Sequence, residues 1–293
     1  CYSRGGQWSC GGAGEYCAIG RPILVEGHTV KASLQMRSDW SPETLEGPLA
    51  DQLTDEVRQA LAQRWIEVAM LEHSSVASFA RFTLQLMNLG APAELLAETQ
   101  RAAGDEVSHA QNAFHIASAY LGEQVGPGSL PLDQVLISTD VSEIMNGLIE
   151  EACFGETLGV AEVNESITLT VDPYVRAHLT QVSEDETRHA ALAWRTLKWM
   201  IESVELSQRG ALLDQVAEAF IKRAEDFFGG TREPEAPYVF EGELEAHGVL
   251  SNKRRHITHV QAYHEILVPC VEALVGARRV IPMRGAGLYD LAI

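Results

Sequence analysis

Two short stretches carry the same pair of chemically useful side chains. "GDEVSHA" spans residues 104–110 and holds Glu106 and His109; "EDETRHA" spans 184–190 and holds Glu186 and His189. In each, two residues separate the acid from the imidazole. On a helix that spacing places both side chains on one face, one above the other. A carboxylate beside an imidazole can bind a metal ion or move a proton. The flanking residues have the apolar periodicity of buried helix, where an unpaired carboxylate costs several kcal/mol.

The elements around these pairs read as long helices. The first should run from about 54 to 89, with a stripe of Leu61, Trp65, Val68, Glu72, Val76, Phe79 and Leu86. Gly90 stops it. A second starts near Pro92 and runs to about Leu121. Its stripe is Ala102, Glu106, His109, Ala113, Ile116 and Tyr120. After a loop at 122–139, a third starts near Asp140, with Glu143 in the capping-box position. Its stripe is Ile149, Cys153, Glu156, Val160, Val163 and Ile167. A fourth is capped by Asp172, has Pro173 in its first turn, and presents Val175, Leu179, Val182, Glu186, His189, Ala193 and Met200. Residues 205–228 read as a fifth helix. A last one, near 250–277, should kink or end at Pro269.

Glu72, Glu106, Glu156 and Glu186 therefore each interrupt the apolar stripe of a different helix. Four buried carboxylates carry four negative charges, and two divalent cations would carry four positive ones. Neutral His109 and His189 add nitrogen ligands at no cost in charge. The halves also repeat. "LEHSSVA" (71–77) matches "GETLGVA" (155–161) in its Glu and final Val-Ala, and "DEVSHA" matches "DETRHA". Such halves would pack about a pseudo-twofold axis.

Residues 54–203, about half the chain, resemble the ferritin-like superfamily of di-iron carboxylate proteins. The order Glu, Glu-x-x-His, Glu, Glu-x-x-His matches the ligand set of those four-helix bundles, and the 122–139 loop matches their long crossover. The resemblance implies an all-α fold with two metals held by Glu72, Glu106, His109, Glu156, Glu186 and His189. It makes Glu106 and Glu186 the bridging carboxylates and Glu72 and Glu156 the terminal ones. It implies two iron ions, with manganese as the alternative, that react with dioxygen or peroxide. The expected activity is that of an oxidoreductase: a ferroxidase or peroxidase acting on ferrous iron, or an oxygenase acting on a small organic substrate. Iron binding or storage without turnover is the alternative. The Cys-x-x-Cys pairs of a rubrerythrin are missing, which argues against an on-board electron-transfer iron.

Rival residues fit less well. Glu151 competes with Glu156 for the third-helix ligand, but its face also carries Gly147, Gly155 and Glu162 and is more mixed. Glu150, Glu151 and Glu162 read as surface charge. His73 points about 100° away from Glu72 and reads as a core or supporting residue. Tyr120 reads as core, and Cys153 and Cys270 as small core residues. His256 and His259 share a face on the last helix without making a convincing metal site.

The 293 residues are 46% apolar and carry a net charge of −19. That charge repels nucleic-acid phosphates and anionic lipid. It also argues against the tRNA-modifying role known in the superfamily. There is no run of about 20 apolar residues that could span a bilayer, no Walker loop and no dinucleotide-binding glycine fingerprint. Residues 1–50 read as a Gly/Cys-rich tether or flap, 51–205 as the di-metal bundle, and 206–293 as a helical extension that caps it or forms an oligomer contact. "RPILVEGHTV" reads as a short strand or hairpin. The first residue, Cys1, resembles the lipid-bearing cysteine of a bacterial lipoprotein after removal of its signal peptide. An extracytoplasmic, membrane-anchored protein with a Cys10–Cys17 disulfide is the expectation; a trimmed cytoplasmic chain is the alternative.

Overall fold

The computed structural model describes residues 21–25, 28–41, 46–229 and 240–276, with the backbone of two short paired strands, β1 (Tyr2–Arg4) and β2 (Gln7–Ser9). Cys1, Cys10 and Cys17, on which the lipid and disulfide expectations fall, lie outside the described residues. A small hairpin, β3 (Leu24–Val25) with β4 (His28–Thr29), forms within "RPILVEGHTV". Strand β5 (Leu34–Met36) follows it.

The rest is helical, so the all-α class holds. Helix α1 (Asp55–Asn88) begins at Thr54, whose hydroxyl accepts from Val57 N. It ends at Gly90, which has φ +69°. Helix α2 (Ala93–Leu121) returns and stops at Gly122, φ +81°. The next 19 residues begin with β6 (Val125–Pro127), which pairs antiparallel with β5.

Helix α3 (Val141–Gly147) is capped by Asp140, whose side chain accepts from Glu143 N at 2.9 Å. The Glu143 carboxylate takes the Ser138 hydroxyl rather than closing a capping box. The chain then widens into π-helical turns at Leu148–Phe154 and continues as α4 (Gly155–Leu169). Asp172 caps α5 (Pro173–Glu202) through Val175 N. Helices α6 (Leu206–Phe228), α7 (Glu241–Ala246), α8 (Asn252–Ala262) and α9 (Val268–Val275) complete the described elements. Another π-helical stretch, Tyr263–Leu267, joins α8 to α9 just before Pro269. Proline has no N–H to give, and its ring crowds the carbonyl four residues back. The wider turn relieves both problems, so helical structure continues through Pro269 rather than ending there.

Side-chain contacts fix the helix directions. Gln100 bonds Thr83, Trp194 bonds Thr157 and Ser183 bonds Asn164, so α1/α2 and α4/α5 are antiparallel pairs. Arg195 meets Glu98 and His109 meets Asp185, which makes α2 and α5 antiparallel as well. The 122–140 connection is held at its start by Val125 N on the Ser118 hydroxyl. At its end Asn88 donates to Thr139 O. It therefore runs the length of α1.

The core falls into two hydrophobic clusters. One includes Phe79, Phe82, Leu95, Ala102, Phe154, Leu158, Leu192 and Leu197. The other includes Leu61, Trp65, Ala110, Phe114, Val163, Val175 and Val182. On α1, α2 and α5 the chain passes from one cluster to the other through Glu72, Glu106–His109 and Glu186–His189, and on α4 Glu156 lies in the same layer. The C-terminal helices share the first cluster: Phe227 meets Phe154 edge-on at 5.3 Å, and Trp194 stacks on Phe220 at 5.4 Å. Near the other cluster, Gly248 (φ +86°) lets the turn after α7 press onto the core. A Cβ there would stand 2.8 Å from Val175 Cγ1.

Two surface assignments are overturned by this packing. Glu162 is 2% exposed, because α8 docks on the α4 face that carries it. It takes hydrogen bonds from Arg255 Nε at 2.7 Å and His259 Nε2 at 2.9 Å. Glu151 turns toward α1, where Arg81 Nη2 lies 2.6 Å away and the Ser78 hydroxyl 3.2 Å away. Glu150 is 42% exposed and pairs with Arg223 at 3.5 Å. Cys153 is buried as expected, whereas Cys270 is only half-buried. Among the described residues, no helix is long and apolar enough to cross a membrane.

Candidate metal centre

The polar layer between the two clusters assembles all six candidate ligands. Glu72 on α1, Glu106 and His109 on α2, Glu156 on α4, and Glu186 and His189 on α5 are each at most 3% exposed. Their ligand atoms form two overlapping groups, Glu72–Glu106–His109–Glu186 and Glu156–Glu186–His189, each within 4.8 Å. Glu186 belongs to both groups. Glu106 also reaches across, its Oε1 lying 3.2 Å from His189 Nδ1. The π-helical turns at 148–154 immediately precede Glu156, and a wide turn shifts the register of the residues after it. Glu156 enters the layer while Glu151 faces Arg81.

All eight oxygens of Glu72, Glu106, Glu156 and Glu186, and Nδ1 of both histidines, are buried without a hydrogen-bond partner. Native proteins leave few such atoms, and each costs about 1–3 kcal/mol, more when charged. Ten in one layer, with every acceptor aimed inward, fit a cation-binding cage. Hard carboxylate oxygens with two imidazole nitrogens form a donor set for divalent transition metals.

Proton affinities bear out the crowding of charge. Burial, together with the Glu106 carboxylate, raises Glu72 well above the usual carboxylate range. Burial and the charges of Glu156 and Glu106 do the same to Glu186. Burial also raises Glu106, although His189 opposes the shift. For His189, burial alone would favour the neutral ring, but Asp105 and Glu106 outweigh it and hold its pKa at about 10. Without a cation, the layer keeps protons that a metal would displace.

Both imidazoles are oriented from behind. His109 Nε2 lies 2.9 Å from Asp185 Oδ2, and His189 Nε2 lies 3.2 Å from Asp105 Oδ2. Arg188 bridges the two aspartates. Burial would raise Asp185, but His109, Gln181 and Arg188 hold it well below the usual range. Asp105 is lowered, chiefly by its bond to His189. Each imidazole thus points Nε2 at an aspartate and turns Nδ1 toward the carboxylates. A cavity of about 190 Å³ at the α2/α5 seam is lined by Asp105, Arg188, His189, Leu192 and Arg195. It reaches the outer edge of His189.

The sequence reading missed both aspartates, although each directly precedes its Glu in "DEVSHA" and "DETRHA". Of the other histidines, His73 meets the Trp40 ring edge-on at 5.1 Å, outside the cluster. His259 is committed to Glu162. Tyr120 is core, as expected, and its hydroxyl lies 2.8 Å from His247 Nδ1.

Asp185→Asn should preserve the fold and weaken divalent-metal binding about 10- to 100-fold, the usual effect of losing a carboxylate behind a ligand histidine. Competition titration against a coloured chelator measures this. Unchanged affinity would remove Asp185 from any orienting role.

Comparison of the chain with family models, with curated proteins and with solved structures gives no match.

Proposed function

We propose that this chain is a ferritin-like di-iron carboxylate protein, and that it is an oxidoreductase acting with dioxygen or peroxide. The observation that carries the reading is the layer of four carboxylates and two imidazoles, contributed by four helices, with no hydrogen bond to any of its inward-facing polar atoms. Two antiparallel helix pairs joined by a connection running the length of α1 agree with the architecture of that superfamily.

The residues divide the work. Glu186, present in both groups of ligand atoms, and Glu106, which reaches His189, would span two metals. Glu72 with His109 would complete one, and Glu156 with His189 the other. Oxygen-rich ligands favour iron or manganese over copper or zinc. Iron held by these residues would supply electrons to a small oxidant such as dioxygen or peroxide. The surrounding Leu, Phe and Val side chains exclude bulk water. Asp105 and Asp185 keep the imidazole protons on Nε2.

The test is anaerobic loading with ferrous iron, followed by air or hydrogen peroxide and a reductant. An enzyme develops near-ultraviolet and visible absorption that bleaches and returns over many cycles. A storage protein oxidises its iron once and retains it. Failure to take up iron at all would sink both readings.

A further inference from the structure

The six ligands are related by the pseudo-twofold repeat, but their surroundings are not. Arg21 lies in the segment before β3 and is only 3% exposed. Its guanidinium stands 4.3 Å from the Phe82 ring centroid and 5.2 Å from that of Phe79. The Phe79 ring also meets the ligand His189 edge-on, at 5.2 Å. Arg21 Nε has no hydrogen-bond partner, and its ion pair with Glu151 is long, at 3.7 Å. Glu151 is already engaged by Arg81. Among the described residues, two guanidinium groups thus share one carboxylate, leaving one positive charge in excess there.

We propose that Arg21 makes the two halves of the metal centre unequal by placing an uncompensated buried positive charge against the Glu156–Glu186–His189 half. The inference rests on the two-metal reading above. The Glu156 carboxylate lies within electrostatic reach of Arg21. Burial lowers the affinity of Arg21 for its proton, and Glu151 and Glu156 oppose that loss. Among the described residues no other arginine is as buried as Arg21, and what stands behind His109 on α5 is the carboxylate of Asp185. A buried charge acts through a low dielectric and is screened little by salt. The Glu156 half should therefore bind a divalent cation more weakly and fill second.

Titration of the metal-free full chain with Co²⁺, followed by visible absorption with a competing chelator, tests this. The wild type should show two affinity classes. Arg21→Met should tighten the weaker class about tenfold and leave the stronger one in place, while Arg21→Lys should behave as wild type. Glu151→Gln removes the local negative charge and should weaken the same class by a similar factor. The opposite signs separate an electrostatic role from a packing role, because loss of packing would loosen binding in both variants. Arg21→Met binding more weakly or unchanged would overturn the proposal. Should that variant fail to fold, Glu151→Gln with unaltered affinities would overturn it equally. A wild type taking up fewer than two Co²⁺ would defeat the two-metal reading itself, and this inference with it.

Discussion

Glu156→Ala is expected to hold no more than one metal ion per chain and to lose reactivity toward oxygen. Glu156 contributes to only one of the two groups of ligand atoms. Without it that half would keep His189, with the carboxylates of Glu186 and Glu106 shared with the other half. A neutral imidazole and two shared carboxylates cannot balance a buried dication, so affinity at that half should fall steeply. The group of Glu72, Glu106, His109 and Glu186 stays complete and should still fill. Elemental analysis after ferrous reconstitution measures the stoichiometry, and the optical spectrum after air exposure measures the reactivity. Glu151→Ala is the informative companion. From sequence, Glu151 is a surface rival whose loss should be nearly silent. Buried against Arg81, Ser78 and Arg21, it should instead retain two metals at lower affinity, because two guanidinium groups lose their carboxylate. If Glu151→Ala loses a whole metal and Glu156→Ala does not, the ligand set must be rebuilt around Glu151.

Metal removal should destabilise the chain, increasingly so as pH rises. In the metal-free protein Glu72, Glu186 and His189 have raised proton affinities. A group whose folded pKa is raised stabilises the fold fully below its unfolded pKa, and that contribution is lost as pH climbs through the folded pKa. For His189 the window runs from about 6.5, its usual value, to about 10. The carboxylate contributions start to fade above the ordinary carboxylate range. Metal binding changes in the opposite direction, since its ligands must shed protons first. The gap between loaded and chelated protein should therefore widen from pH 6 to pH 8. At metal concentrations about 1,000 times the dissociation constant, binding adds about 4 kcal/mol, or roughly 10 °C in Tm for a chain of this size. Calorimetry with and without chelator at the two pH values checks it. Equal Tm values for the two forms would show that no metal is held in the native layer.

Much of this was legible in the residue order because it depends on local periodicity. The caps at Thr54, Asp140 and Asp172, the stops at Gly90 and Gly122, and a carboxylate on four successive apolar stripes all follow from helix geometry and the cost of burying charge. Those rules need no knowledge of which helix touches which. The less legible features depend on contacts between segments distant in the chain. Glu162 reads as surface charge until α8 covers it. The excess charge at Arg21 exists only because a segment before the first helix folds onto Phe79, Phe82 and Glu151. The wide turns at 148–154 set the register that takes Glu156 into the layer and Glu151 to Arg81.

The aspartates show the division most clearly. Asp105 and His109 are four residues apart on one helix, as are Asp185 and His189, so local geometry alone would pair each with its own neighbour. The structure pairs them crosswise, His109 with Asp185 and His189 with Asp105. The sequence by itself determined that four helices bring carboxylates and two imidazoles to a common depth, since periodicity and charge burial leave a helical core few other ways to accommodate them. Only the tertiary structure decided how those groups partner. With α2 and α5 antiparallel and in contact, the other helix's aspartate reaches the outer edge of each imidazole, and Nδ1 is left facing the carboxylates.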